Sequence, residues 1–193
     1  MHTTVINIFG GPGSGKSVLA ARLYADLEVS QIFGTVGHVQ EFAKRLVWEE
    51  NYDALKNQPF VTKGQADLLM PLIGKVSAVV SDSPMELGLI YAEPNQKQKV
   101  QNLINICNSK FKRINIFINR ADFVFQQTGR IHNHEESRAI DDKIIAMLRA
   151  NNEPVIEVSH PVDTSEVISL ITARIIAAEV KDINTEEQKE GLV

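Results

Sequence analysis

The chain has 193 residues, a formal charge of −4 and a sequence pI near 5.7. At 44% hydrophobic and 23% charged residues it can bury a core, which excludes whole-chain disorder, and its length fits one generous domain. A single cysteine, Cys107, excludes an intramolecular disulfide and a cysteine-built zinc site, and the acidic balance gives no global attraction to nucleic acid.

In chain order, Val5 to Phe9 is a short β-rich run that ends at glycines and reads as a buried strand. From Ser17 to Glu28, Leu19, Leu23 and Leu27 mark one face of a helix. A second strand falls within Phe33 to Val39, and Phe42, Leu46 and Val47 mark a helix that begins near Glu41. A loop is expected from Asn51 to Phe60, then a helix on Leu68, Leu69, Leu72 and Ile73 that Pro71 bends. Ala78 to Ser81 is a strand that stops at Asp82-Ser83-Pro84, and Asn95 to Asn108 is helical by spacing. Ile114 to Ile118 is the next strand, residues 119–133 a polar loop, and Ile140, Ile144, Ile145 and Leu148 the face of a helix. Val155 to Val158 is the last strand. Asp163 with Glu166 resembles a capping box opening a helix through Val180, and residues 181–193 read as a polar, frayed tail. Strands that alternate with helices and read as continuous apolar runs indicate a parallel sheet covered on both faces, in one α/β domain over residues 1–180.

The strongest signal is Gly10-Gly11-Pro12-Gly13-Ser14-Gly15-Lys16-Ser17, which matches G-x-x-x-x-G-K-[ST] between a predicted strand and a predicted helix. Glycines let the backbone curl so that successive N–H groups point at phosphate oxygens, and the helix start adds its positive end. Lys16 can reach the β- and γ-phosphates of a nucleoside triphosphate, and the Ser17 hydroxyl can ligate Mg²⁺. The motif alone does not separate an ATPase, a GTPase and a kinase.

Other residues bear on that choice. Asp82 ends an apolar strand, where α/β sheets bind ligands, and could hold Mg²⁺ or orient an attacking hydroxyl. It could equally cap a helix opening at Ser83-Pro84. Glu41 could accept a proton from an acceptor hydroxyl or complement a helix dipole. Arg120 and Arg130 sit near the two ends of the 119–133 loop, a lid in which guanidinium groups could reach the triphosphate. Asn119-Arg120-Ala121-Asp122 partly matches the N-K-x-D guanine signature with the lysine replaced. His132 and His134 read as solvated loop residues, and Trp48, Tyr52 and Tyr91 as core or rim packing.

The P-loop, Glu41-Phe42-Ala43-Lys44, Gln65, the strand into Asp82-Ser83-Pro84 and the Arg120…Gly129-Arg130 loop together resemble the NadR/Ttd14-like group of P-loop kinases, often labelled as an AAA-type domain and common in bacteriophages. The resemblance implies a P-loop NTPase fold with a five-stranded parallel sheet ordered 2-3-1-4-5, helices on both faces and an arginine-bearing lid. It implies ATP and Mg²⁺ as cofactors, with Gly10 to Ser17 on the donor phosphates, Ser17 and Asp82 at the metal, Glu41 near the acceptor, and Arg120 and Arg130 serving the lid. The acceptor classes it opens are a nucleoside, a nucleotide, nicotinamide riboside, or a 5-hydroxymethyl pyrimidine base in phage DNA. Ser83 stands where thymidylate and deoxynucleoside kinases carry an arginine. A kinase is therefore expected, against a nucleotide-driven switch on a protein partner or a binding module without turnover. With no signal peptide at Met1 to Thr4 and no apolar run near the roughly 20 residues of a membrane span, the expected location is cytoplasmic. The oligomeric state is left open, a homodimer included.

Overall fold

The computed structural model describes residues 3–120 and 133–190, with side chains of the last helix as far as Ala177. Five strands form one all-parallel sheet: β1 (Thr4–Phe9), β2 (Val36–Val39), β3 (Ala78–Ser81), β4 (Lys112–Asn119) and β5 (Val155–Ser159), ordered β2-β3-β1-β4-β5. The order and the parallel pairing are those the resemblance implied. β1 lies at the centre, with Thr4 opposite Ala78 on one side and Lys112 on the other. The chain turns back on either side of β1, which opens a crevice at the carboxyl ends of the strands.

Helices cover both faces. On one, α1 (Lys16–Ser30) lays Leu19, Leu23 and Leu27 against Ile6, Ile8 and Val80, and α8 (Thr164–Glu190) adds Val167 and Ile171. On the other, α4 (Gln58–Leu69) and α6 (Lys97–Asn108) pack Ala66, Leu69, Val100, Ile104 and Cys107 on Val5 and Val79. α7 (His134–Ala150) sets Ile140, Ile144 and Leu148 against Phe9 and Phe117. Three short helices complete the order: α2 (Phe42–Trp48), α3 (Tyr52–Lys56) and α5 (Leu87–Tyr91). Among the described residues, no helix is long and apolar enough to cross a membrane.

Several expectations shift. The stretch expected as a loop from Asn51 to Phe60 holds α3 and the start of α4, because two asparagines cap in succession. Asn51 accepts from the Ala54 N–H and Asn57 from the Phe60 N–H, both at 3.3 Å, with Pro59 in the first turn of α4. Pro71 ends α4 in a 3-10 turn, Met70–Leu72, rather than bending a longer helix, since it has no N–H to continue the ladder. α5 is too short to show a period in sequence. α8 continues to Glu190, past the Val180 where the apolar pattern stops.

The strands are less uniformly apolar than their sequence pattern suggests. Asn7 in β1 lies opposite Asn115 in β4, donates to it at 3.2 Å, and is buried. Asn115 donates to Glu153, and Arg113 spans Glu153 and the buried Glu86 at 3.0 and 2.8 Å. Arg113, though it falls in the basic run Lys110 to Arg113, is therefore an internal counter-ion. These buried polar groups satisfy one another as a connected set, without which each would carry a desolvation penalty.

Candidate active site

The P-loop leaves the carboxyl end of β1 and enters α1. Gly15, the residue before α1, has φ 91°, a left-handed conformation that favours glycine. A side chain there would also meet His160, whose Nε2 lies 2.9 Å from the Ser14 carbonyl oxygen. The N–H groups that open α1 have no i−4 carbonyl, so they and the helix dipole are free to face an anion. Lys16 Nζ donates to the Gly11 carbonyl at 3.0 Å, folding the lysine back over the loop. Burial pushes its ammonium below the usual lysine range, against the opposing charges of Glu41, Asp82 and Asp141, while Arg120 pushes the same way as burial.

Asp82 follows β3 and is 3% exposed, and its Oδ1 has no hydrogen-bond partner. Helix α5 starts only at Leu87, so Asp82 caps no helix opening at Ser83-Pro84, and the capping alternative is set aside. A buried carboxylate oxygen without a partner is costly, and such groups in a cleft point to a ligand. With the Ser17 hydroxyl at the mouth of the loop, it is a donor set suited to Mg²⁺, a hard cation that keeps several waters and takes few protein oxygens.

Glu41 occupies the N-cap position of α2, yet its side chain makes no cap bond. Gln65 on α4 does that work: its Oε1 accepts from the Phe42 N–H at 2.8 Å and its Nε2 donates to the Gln40 carbonyl at 3.3 Å. The Glu41 carboxylate is thereby left to the cleft. Burial raises its pKa, Lys16 opposes, and Asp82 adds to the rise.

Lys16, Ser17 and Glu41 line a cavity of about 710 Å³ that runs between α2, α3, α4 and the turn into α5. Away from the loop its lining includes the apolar and aromatic Val47, Trp48, Tyr52, Leu55, Val61 and Met85, beside the polar Lys56, Gln58 and Thr62. Trp48 is 64% and Tyr52 47% exposed, so both form the rim of this cavity and not the core. A second cavity of about 560 Å³, with Ser17, His38, Lys44 and Asp82 in its wall, meets the first along Glu41, Lys44 and Trp48.

Arg120, at the end of β4, reaches back to the P-loop. Its Nη1 and Nη2 each donate to the Pro12 carbonyl at 3.1 Å, its Nε to Asp141 at 2.9 Å and its Nη2 to Ser137 at 2.7 Å. Sequence reasoning missed Asp141 and Ser137, which share helical face positions i and i+4 on α7 but carry no motif. Asn119 donates to Glu157 across the β4–β5 pair at 3.2 Å, so neither described member of the Asn119-Arg120 pair takes up the guanine-reading pattern. Arg130, His132 and most of the expected lid lie outside the described residues. Among those described, no group of three His, Cys, Asp or Glu side chains could hold a metal.

A family of AAA domains, AAA_28, matches residues 5–165, most of the chain. The chain belongs to this family. Its members share the P-loop NTPase core seen here, and this AAA domain is laid out as a P-loop kinase fold. It is similar to a thymidylate kinase from Ehrlichia chaffeensis, with a TM-score of 0.60 at 13% identity over 91% of this chain and 100% of that one. It is also similar to a deoxyadenosine kinase from M. mycoides, solved with the products dCMP and a flexible dCDP, with a TM-score of 0.52 at 18% identity over 90% and 99% of the two chains. No curated protein matches the sequence.

Proposed function

We propose that residues 1–180 form an ATP- and Mg²⁺-dependent kinase domain that transfers the γ-phosphoryl group to a hydroxyl of a nucleoside- or nucleotide-type acceptor, and that it works in the cytoplasm. The observation that carries the reading is one continuous cleft: the phosphate loop opens at one end, Glu41 stands beside it, and an apolar, aromatic wall closes the other. A hydrolytic switch has no use for an apolar extension of the cleft beyond the phosphate loop, whereas a planar base with a sugar fits it. The two kinases of like fold, named for thymidylate and deoxyadenosine, support the same class.

In this reading the loop from Gly10 to Ser17 cradles the donor phosphates and Lys16 follows the γ-phosphate. Ser17 and Asp82 would hold Mg²⁺, which would supply positive charge to offset that of the donor phosphates. Glu41 accepts the acceptor's hydroxyl proton as that oxygen bonds to the γ-phosphorus, and the bond to the bridging oxygen breaks to release ADP. A carboxylate whose pKa burial has raised is a stronger base for that step. Arg130 is assigned to the lid. The NadR/Ttd14-like subfamily supplies the acceptor classes to be compared.

A γ-³²P transfer screen over nucleosides, monophosphates, nicotinamide riboside and DNA carrying 5-hydroxymethyl pyrimidines tests the proposal. Label on one small nucleoside-type acceptor is expected, and label on the DNA alone would move the acceptor to a DNA-borne base. Release of inorganic phosphate with no labelled acceptor would replace the kinase by a switch on a protein partner.

A further inference from the structure

The G-x-x-x-x-G-K-S pattern leaves its second position open to any residue, yet here that position cannot carry a side chain. A Cβ on Gly11 would lie 2.6 Å from the Ser137 carbonyl oxygen, 2.9 Å from Asp141 Oδ1 and 3.1 Å from Arg120 Nη2. Its φ is not in the left-handed region, so the crowding by α7 and Arg120 is what demands glycine. The contact is polar throughout. Gly11 N–H donates to Asp141 Oδ1 at 2.5 Å, and the Ser137 hydroxyl and both Arg120 Nη atoms donate to the Pro12 carbonyl. The Gly11 carbonyl takes Lys16 Nζ and the Ser14 N–H, and Pro12 has no N–H to place. Every backbone polar group of the Gly11–Pro12 turn is thus committed to a partner in this chain.

The three side chains are held as firmly as the turn. Ser137 is fully buried, and Arg120 and Asp141 expose 7% and 13% of their side chains while bonded to each other at 2.9 Å. Arg120 directly follows β4, and Ser137 and Asp141 stand in the first two turns of α7. The asparagine at the head of α7 completes a capping box with Glu136, which fixes the register of that first turn and so the placement of Ser137.

We propose that Arg120, Ser137 and Asp141 are a positioning device for the donor site. They hold the Gly11–Pro12 turn so that the N–H groups after it, and Lys16, face the phosphates, and they set how tightly the nucleotide binds. Arg120 acts through the loop backbone and does not touch the transferring phosphoryl group. The proposal rests on the reading of the P-loop as the donor site, and not on the identity of any acceptor.

Calorimetric binding of ADP and of a non-hydrolysable ATP analogue tests it, beside steady-state rates and Tm. Arg120→Ala and Asp141→Asn should each weaken ADP about tenfold, the range of a lost charge-assisted hydrogen bond. The double variant should lose little more than either single one, because both act on one turn. Arg120→Lys keeps the charge without the planar fork and should recover only part of the loss. The KM for ATP should rise while kcat stays within about threefold of wild type. Ser137→Ala, a mild change expected to cost about threefold in affinity, keeps the test readable if Arg120→Ala does not fold. Unchanged nucleotide affinity with a lowered Tm would make the network structural only and overturn the proposal. So would an Arg120→Ala variant that loses kcat at unchanged affinity while Asp141→Asn is silent. Nucleotide binding without a labelled acceptor would refute the kinase and leave the positioning device standing, whereas a wild-type protein that binds neither nucleotide overturns both.

Discussion

The two ends of the cleft are built differently. At the donor end, the loop is pressed between β1, α7 and the β5–α8 connection, and its carbonyls are bonded from behind by Arg120, Ser137 and His160. At the acceptor end, α2 and α3 carry Trp48 and Tyr52 into solvent, and their ion pairs, Arg45 with Glu49 and Lys56 with Asp53, lie on the surface. Exposed pairs of that kind contribute little to stability. On the proposed function, the contrast matches the two tasks. A triphosphate presents the same oxygens every time and rewards a pre-set cradle, whereas an acceptor is selected by shape and is served by a wall that can adjust around it.

Lys16→Ala should break the donor end outright: γ-phosphate transfer should fall at least about a thousandfold, with weakened triphosphate binding, as a direct transfer assay would show. Asp82→Asn should lower kcat about a hundredfold and raise the Mg²⁺ concentration needed for half-maximal rate. Tm should hold, since the Oδ1 it alters bonds to nothing in the fold.

Glu41→Gln stands at the boundary of the two ends and should separate chemistry from stability. Its kcat should fall about a hundredfold or more with acceptor KM little changed. The acidic limb of the wild-type kcat/KM profile should lie above the ordinary glutamate value of 4.5, in the direction burial imposes. Because the folded pKa is raised above the unfolded one, protonation favours the folded state. That contribution is present at low pH and is lost as the pH rises through the folded value. The neutral glutamine should therefore raise Tm at neutral pH, on the order of 2 °C, with the gain disappearing in acid. The smallest effect belongs to the rim. Trp48→Ala should raise acceptor KM about tenfold through lost stacking and leave ATP KM unchanged. Since Trp48 is the chain's single tryptophan, its fluorescence should change when the acceptor binds in the wild type.

Much of the donor end is legible in sequence because it is local. Eight consecutive residues make the loop, a strand precedes it and a helix follows, and Asp82 stands at the end of the short strand Ala78–Ser81. The backing of the loop is not legible, because Arg120, Ser137 and Asp141 meet Gly11 and Pro12 only through the β1–β4 pairing, over separations above 100 residues. Glu41 illustrates a middle case. Its place at the head of α2 is readable, but its freedom from capping depends on Gln65, which takes the Phe42 N–H from a different helix. The acceptor wall was hidden for another reason. The capped asparagines of the 51–60 stretch carry no apolar period, so a loop and two helix starts look alike until tertiary contacts choose between them.

The cradle's backing has a consequence for synthesis. Residues 10–17 leave the ribosome well before the groups that shape them, which arrive with Arg120, Asp141 and finally His160. The central strand that carries the loop likewise waits for partners at Ala78 and Lys112 before it is flanked on both sides. A nascent chain therefore holds its nucleotide motif long before it holds a nucleotide site. Binding competence should be gained late and in one cooperative step, so a translation product arrested before the fifth strand would carry the whole signature and no cradle.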